Sequence, residues 1–108
     1  MGITAGLRQV LSALFAHGSV AGDAEIVEVE APSTGLMRVS VSLSAGSTFY
    51  FIEDNGSTTK TVLLNGGNAL TAGAGGIFDF CAIAGNLYSF RGGTTADVDR
   101  LIVSLEAY

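Results

Sequence analysis

The sequence predicts an all-β protein: an antiparallel β-sandwich or jelly-roll-like barrel of about seven strands, preceded by an N-terminal amphipathic helix. Three observations carry the prediction. From Glu25 onward apolar and polar residues alternate with a period of two; these runs recur at spacings near ten residues; and turn-forming residues separate them. The first twenty residues are different, because their apolar positions recur at helical spacing.

In "MGITAGLRQVLSALFAHGSV" the side chains of Ile3, Leu7, Val10, Leu11, Leu14 and Phe15 fall on one helical stripe, with Arg8, Gln9 and Ser12 on the other. Thr4 suits an N-cap and Gly18 the residue after a helix end. His17, the one imidazole, would then lie at the helix C-terminus and interact with its dipole. The "GSVAGD" that follows reads as a flexible connector, which makes residues 1–22 an arm and residues 23–108 the sandwich domain. The apolar stripe has two readings: burial against another chain, or a fold back over one face of its own sandwich. Assembly is the preferred one. Burying five of these side chains, Leu7, Val10, Leu11, Leu14 and Phe15, at about 1.5–3 kcal/mol each would contribute on the order of 10 kcal/mol before entropy losses.

In the body, "EIVEVEA" sets Val27, Val29 and Ala31 against Glu28 and Glu30, and "LMRVSVSL" sets Met37, Val39, Val41 and Leu43 against Arg38, Ser40 and Ser42. "PSTG" between them is a turn. "STFYFIE" is apolar on both faces and calls for a cover on each. Asn55-Gly56 marks a tight hairpin returning along "TTKTVLL", and this makes the "NGS" sequon a turn rather than a glycan acceptor. The glycine-rich "NGGNALTAGAGG" lacks the Gly-Lys-Ser/Thr ending of a phosphate loop and precedes a strand, so it reads as a loop or β-corner. "IFDFCAI" and "LYSFR" follow. The final "DVDRLIVSLEAY" fits either period; its β-branched residues favour a strand.

Composition narrows the function. Of the 108 residues 48% are hydrophobic and only 14% charged, with a formal net charge of −5, so no basic footprint for nucleic acid exists. The apolar stretch near the start is too short to span a bilayer and ill-suited to a signal peptide, and "MGITAG" does not fit myristoylation. The single Cys81 excludes an internal disulfide and reads as a buried spectator. Neither Glu53–Asp54 nor Asp97–Asp99 sits in a calcium motif, and no nucleophile, base or metal set emerges, so neither enzyme nor cofactor is expected.

Two functional classes remain. A carbohydrate- or receptor-binding module would use surface tyrosines, with Tyr50 and Tyr88 as the candidate ligand patch and Tyr108, Asn86 and Asp79 beside them. That is the alternative; the preferred reading is a structural protein. The stretch "TGLMRVSVSLSAGSTFYFIEDNGSTTKTVLLNGGNALTAGAGGIFDF…GNLYSF", with its alternating Val/Ser strands, aromatic strands and Gly/Asn turns, resembles the small β modules of virion accessory proteins. These are capsid decoration, turret and tail-fibre proteins of bacterial and archaeal viruses. The resemblance implies a homotrimer or other symmetric assembly, an N-terminal segment touching viral capsid or tail proteins, a place in the virion and no catalysis. Sparse charge and abundant Ser and Thr agree with it, since such a surface packs against copies of itself with little ionic desolvation.

Overall fold

The period-two runs do form strands. A computed structural model describes residues 7–108, and in it these residues form eight strands: β1 Arg8–Val20, β2 Glu25–Glu30, β3 Gly35–Leu43, β4 Phe49–Asp54, β5 Thr59–Leu63, β6 Gly75–Ala82, β7 Leu87–Gly92 and β8 Ala96–Ala107. They make two four-stranded antiparallel sheets, ordered β1-β8-β3-β6 and β2-β7-β4-β5. Consecutive strands lie in different sheets at every connection but one, the β4–β5 hairpin.

The core fills the space between the sheets. Met37, Val39, Val41 and Leu43 of β3 and Leu101, Val103 and Leu105 of β8 face inward from the first sheet, as the alternation requires. From the second come Phe49, Phe51, Tyr88 and Phe90. Phe80 of β6 reaches across to stack on Phe51 with 4.2 Å between ring centroids, and this contact fastens the two layers at their aromatic centre. At the start of β3 the chains run so close that a Cβ on Gly35 would strike the Glu106 carbonyl oxygen and lie 2.8 Å from Ala107 Cα. Only glycine fits there.

Among the described residues the expected N-terminal helix is not present. Residues 8–20 are an edge strand paired antiparallel with β8, from Arg8 opposite Glu106 to Val20 opposite Ala96. Two irregularities explain why the pattern reads as helical. Register shifts between Val10 and Ser12 and between Phe15 and Gly18 insert extra residues into β1, with Ala16 at φ 48°. Each bulge resets the in–out phase, so Leu11 and Leu14, three apart, both pack toward the core. Pairing with β8 overrides the local preference of Leu, Ala, Gln and Arg for a helix. The His17 cap therefore has no helix to cap, and His17 is an exposed residue of the strand. Ile3 and Thr4 lie outside the described residues.

The connector after the expected arm is likewise structured. Ala21–Ala24 is a turn held by Asp23 N–H on Gly92 O at 2.7 Å, by Arg91 on Asp23 O at 3.0 Å and by the Tyr50 hydroxyl on Asp23 Oδ1 at 2.7 Å. The described part of the segment 1–22 is thus built into the sandwich, in which the described residues form eight strands where about seven were expected.

Other expectations hold. Asn55 to Thr58 closes the β4–β5 hairpin, with Gly56 at φ 91° and Asn55 Oδ1 accepting from the Ser57 and Thr58 amides. The glycine-rich loop carries the chain from one sheet to the other through a single 3-10 turn at Asn65–Gly67, and the buried Leu64 and Leu70 anchor it. Residues 96–107 are a strand. Cys81 is a correction: it is exposed on the outer face of β6, because in "IFDFCAI" it shares the phase of Ile77 and Asp79 while Phe78, Phe80 and Ala82 point inward.

Candidate functional site

The residues expected to mediate assembly divide in two along β1. Leu11 and Leu14 are half-buried against the core and already committed to the fold. Leu7, Val10 and Phe15 are 68%, 59% and 66% exposed. Three of the five described positions therefore present apolar surface to solvent, Leu7 just before β1 and Val10 and Phe15 on it, an edge strand whose outer side is free of backbone partners among the described residues.

The register shows what surrounds them on the outer face of the first sheet. One row runs Val10, Ser104, Arg38, Asp79; the next Ala13, Ile102, Ser40, Ile77; the third Phe15, Arg100, Ser42, Gly75. Charge on this face is largely cancelled in pairs. Arg38 donates from Nε and Nη2 to the two carboxylate oxygens of Asp79 at 2.8 and 2.9 Å, and the same hydrogen bonds hold the Asp79 carboxyl below its ordinary pKa. Arg8 lies over Ser104 and reaches Glu106 at 3.2 Å. What is left is a surface of hydroxyls and aliphatic side chains with Arg100 among them, Val10 and Phe15 at one edge and the exposed Ile77 at the other. Burying such a surface strips few unpaired ions of water.

The tyrosine patch is not assembled. Tyr50 lies on the outer face of the second sheet, its hydroxyl bonded to Asp23. Tyr88 points the other way and is fully buried. Asp79 belongs to the first sheet and is engaged by Arg38, and Tyr108 is exposed at the end of the chain. Alternation along β4 and β7 separates Tyr50 from Tyr88, since the register that sends Phe49, Phe51 and Tyr88 inward sends Tyr50 outward.

Tyr88 has a different role. Its hydroxyl donates to Glu53 Oε2 at 2.5 Å and accepts from the Ile83 amide at 2.8 Å, while Asn86 Nδ2 donates to the same Glu53 oxygen at 3.1 Å. Burial first, and the bond to Glu53 second, push the phenol up from its ordinary 10.0 to about 12. The folded pKa lies above the unfolded one, so the neutral phenol's contribution to stability is complete below about pH 10 and is lost as pH rises from there through about 12. Denaturant midpoints measured across that interval should fall for the native chain. Tyr88→Phe should flatten that part of the profile while lowering stability at neutral pH by about 1–3 kcal/mol, since the Ile83 amide loses its acceptor. An unchanged slope in the variant would assign the pH effect elsewhere.

Among the described residues no group of three or more His, Cys, Asp or Glu is placed to hold a metal ion, and no helix is long and apolar enough to cross a membrane. No family model and no curated protein matches the chain. Among solved structures, the fold is similar to that of the C-terminal domain of A223, a structural protein from Sulfolobus turreted icosahedral virus. The superposition covers 93% of this chain and 99% of that one, with a TM-score of 0.56 and 16% sequence identity. The two share a fold over nearly their whole lengths.

Proposed function

We propose that the chain is a non-enzymatic structural protein of a virus particle, an accessory of the capsid-decoration or spike type that self-assembles and docks on a larger shell. The observation that carries this reading is the likeness in fold to the A223 domain, which runs almost end to end in both chains. The strand order β1-β8-β3-β6 over β2-β7-β4-β5 supports it as well, being the two-Greek-key wiring of the jelly rolls found among capsid and lectin domains. The exposed Leu7, Val10 and Phe15, next to a face on which Arg38 pairs with Asp79 and Arg8 with Glu106 while Arg100 has no ion pair among the described residues, supply the contact surface. Burying these three at about 1.5–3 kcal/mol each gives roughly 5–9 kcal/mol per copy before the losses of association. A symmetric assembly, a trimer in this reading, repeats that contribution at each copy. The protein's place is in the virion, with capsid or tail proteins as partners.

Sedimentation of the intact chain and of the Val10→Ser/Phe15→Ser double variant tests the assembly. Both residues are surface-exposed, so the variant should keep its melting temperature within about 4 °C while its oligomer falls to monomer. A native chain that stays monomeric at high concentration, and binds no particle, would remove the basis of the proposal. Imaging of the native particle locates the chain directly.

A further inference from the structure

One end of the sandwich carries a cavity of about 190 Å³, formed where the β4–β5 hairpin faces the β6–β7 loop. Glu53, Thr59, Lys60, Ile83 and Asn86 line it, with the turn residues Asn55 and Thr58 at its mouth. The alternation of both hairpin strands places its two charged groups. Glu53 follows Phe49 and Phe51 in the inward phase of β4, and Lys60 precedes the inward Val62 in β5. They stand opposite each other in the ladder, at the level where the core ends.

The carboxylate is fixed from one side only. Tyr88 and Asn86 both donate to Glu53 Oε2, and neither reaches Oε1. Among the described residues no hydrogen bond or ion pair takes up Glu53 Oε1, Asn86 Oδ1 or Lys60 Nζ, and no buried side-chain polar atom lacks a partner, so these three atoms are open to solvent in the cavity. The loop bearing Ile83 and Asn86 is itself pinned: Gly85 N–H donates to Ala31 O at 2.8 Å, and Ala31 N–H donates to Asn86 O at 3.0 Å. The cavity therefore has two immobile acceptors, an ammonium donor, a threonine hydroxyl able to act either way, and the 52% exposed side chain of Ile83 as an apolar wall.

We infer that this cavity binds a single sugar residue, held by neighbouring hydroxyls between Glu53, Asn86 and Lys60. Each sugar hydroxyl both donates and accepts, which matches acceptors set beside a donor. The opposite charges of Glu53 and Lys60 cancel, and so favour a neutral ligand over an ion of either sign. The volume is below the range of pockets for larger ligands and suits one ring, whose C–H face would lie on Ile83. The Tyr88–Glu53–Asn86 network orders the carboxylate before any ligand arrives, so little side-chain freedom is lost on binding. This site is separate from the β1 surface and does not depend on the assembly reading.

The test uses amide NMR of the intact chain titrated with the methyl glycosides of glucose, galactose, mannose and N-acetylglucosamine, alongside calcium chloride and inorganic phosphate. Saturable shifts with at least one glycoside, confined to residues 53–60 and 83–88, are expected in the millimolar affinity range of a small wet site. Lys60→Ala, at an exposed edge position, and Glu53→Gln, which keeps an acceptor for Tyr88, should each weaken that binding about tenfold or more with the spectrum otherwise native. Tyr50→Ala on the outer face should leave it unchanged. Absence of shifts with all four glycosides, shifts from calcium or phosphate alone, or equal weakening by Tyr50→Ala would overturn the proposal. Sedimentation of Lys60→Ala keeps the two readings apart, since loss of sugar binding leaves the oligomer intact.

Discussion

A chain beginning at Asp23 is expected to be unfolded, or at most loosely collapsed, under conditions where the intact chain is native. Removing residues 1–22 takes away β1, which pairs with β8 from Arg8–Glu106 to Val20–Ala96 and covers the core with Leu11, Leu14 and Val20. Leu101 and Val103, fully buried in the intact protein, would then lie on an edge strand, at about 1.5–3 kcal/mol for each side chain returned to water. The lost ladder adds about 0.5–1.5 kcal/mol per hydrogen bond. Together these match or exceed the 5–15 kcal/mol, in order of magnitude, by which a domain of this size is stable. Far-ultraviolet circular dichroism during heating, with amide NMR dispersion, reads the result. A cooperative melt within about 5 °C of the intact chain would show instead that the segment is a detachable arm.

The second large effect is at the centre of the core. Phe90→Ala should lower stability by about 3–5 kcal/mol. The ring is fully buried, parallel to Phe49 with centroids 6.1 Å apart, and tilted against Phe51 at 5.8 Å and Phe80 at 6.3 Å. Deleting it opens a cavity beneath both sheets and takes a neighbour from each of the other three rings, including the Phe51–Phe80 pair that joins the layers. The melting temperature should drop by about 15 °C or more. Chemical denaturation of Phe90→Ala beside Phe90→Leu separates ring loss from volume loss. A change under about 1 kcal/mol for the alanine variant would mean that the aromatic cluster is not what holds the layers together.

The two variants touch parts of the molecule that differ in how readable they are. Strands β3 and β6 announce themselves because each has one face toward the core and one toward water, so burial prints a period of two on "LMRVSVSL" and "IFDFCAI". Strand β1 hides because its two bulges break that period, and the result imitates a helical stripe. The apolar character of Val10 and Phe15 was still legible, although the structure behind it was not: a strand with two bulges, not a helix, sets them outward.

Strand partners were illegible for another reason. Alternation states which face of a strand is buried but not which strand lies beside it, and nearly every connection here passes between sheets. The same limit concealed the cavity, whose members come from a hairpin and from a loop some thirty residues further on. One signal for it was present. Glu53 and Lys60 stand in the phase of the core residues Phe49, Phe51 and Val62, and a charge in that phase either ends the core or lines an opening at its edge. Tyr88 misled in the opposite sense, because an aromatic with a polar tip looks alike in sequence whether its hydroxyl meets water or a buried carboxylate.

The position of β8 between β1 and β3 bears on how the polypeptide matures in the cell. Of the eight strands described, the one made last is the one that β1 and β3 both need as their neighbour. Until it emerges, those two have no shared partner, and greasy residues such as Leu14, Val39 and Val41 wait uncovered beside unpaired backbone. The sandwich thus closes only once β8 has been made, and the interval before closure is when nascent copies are most exposed to sticking to one another.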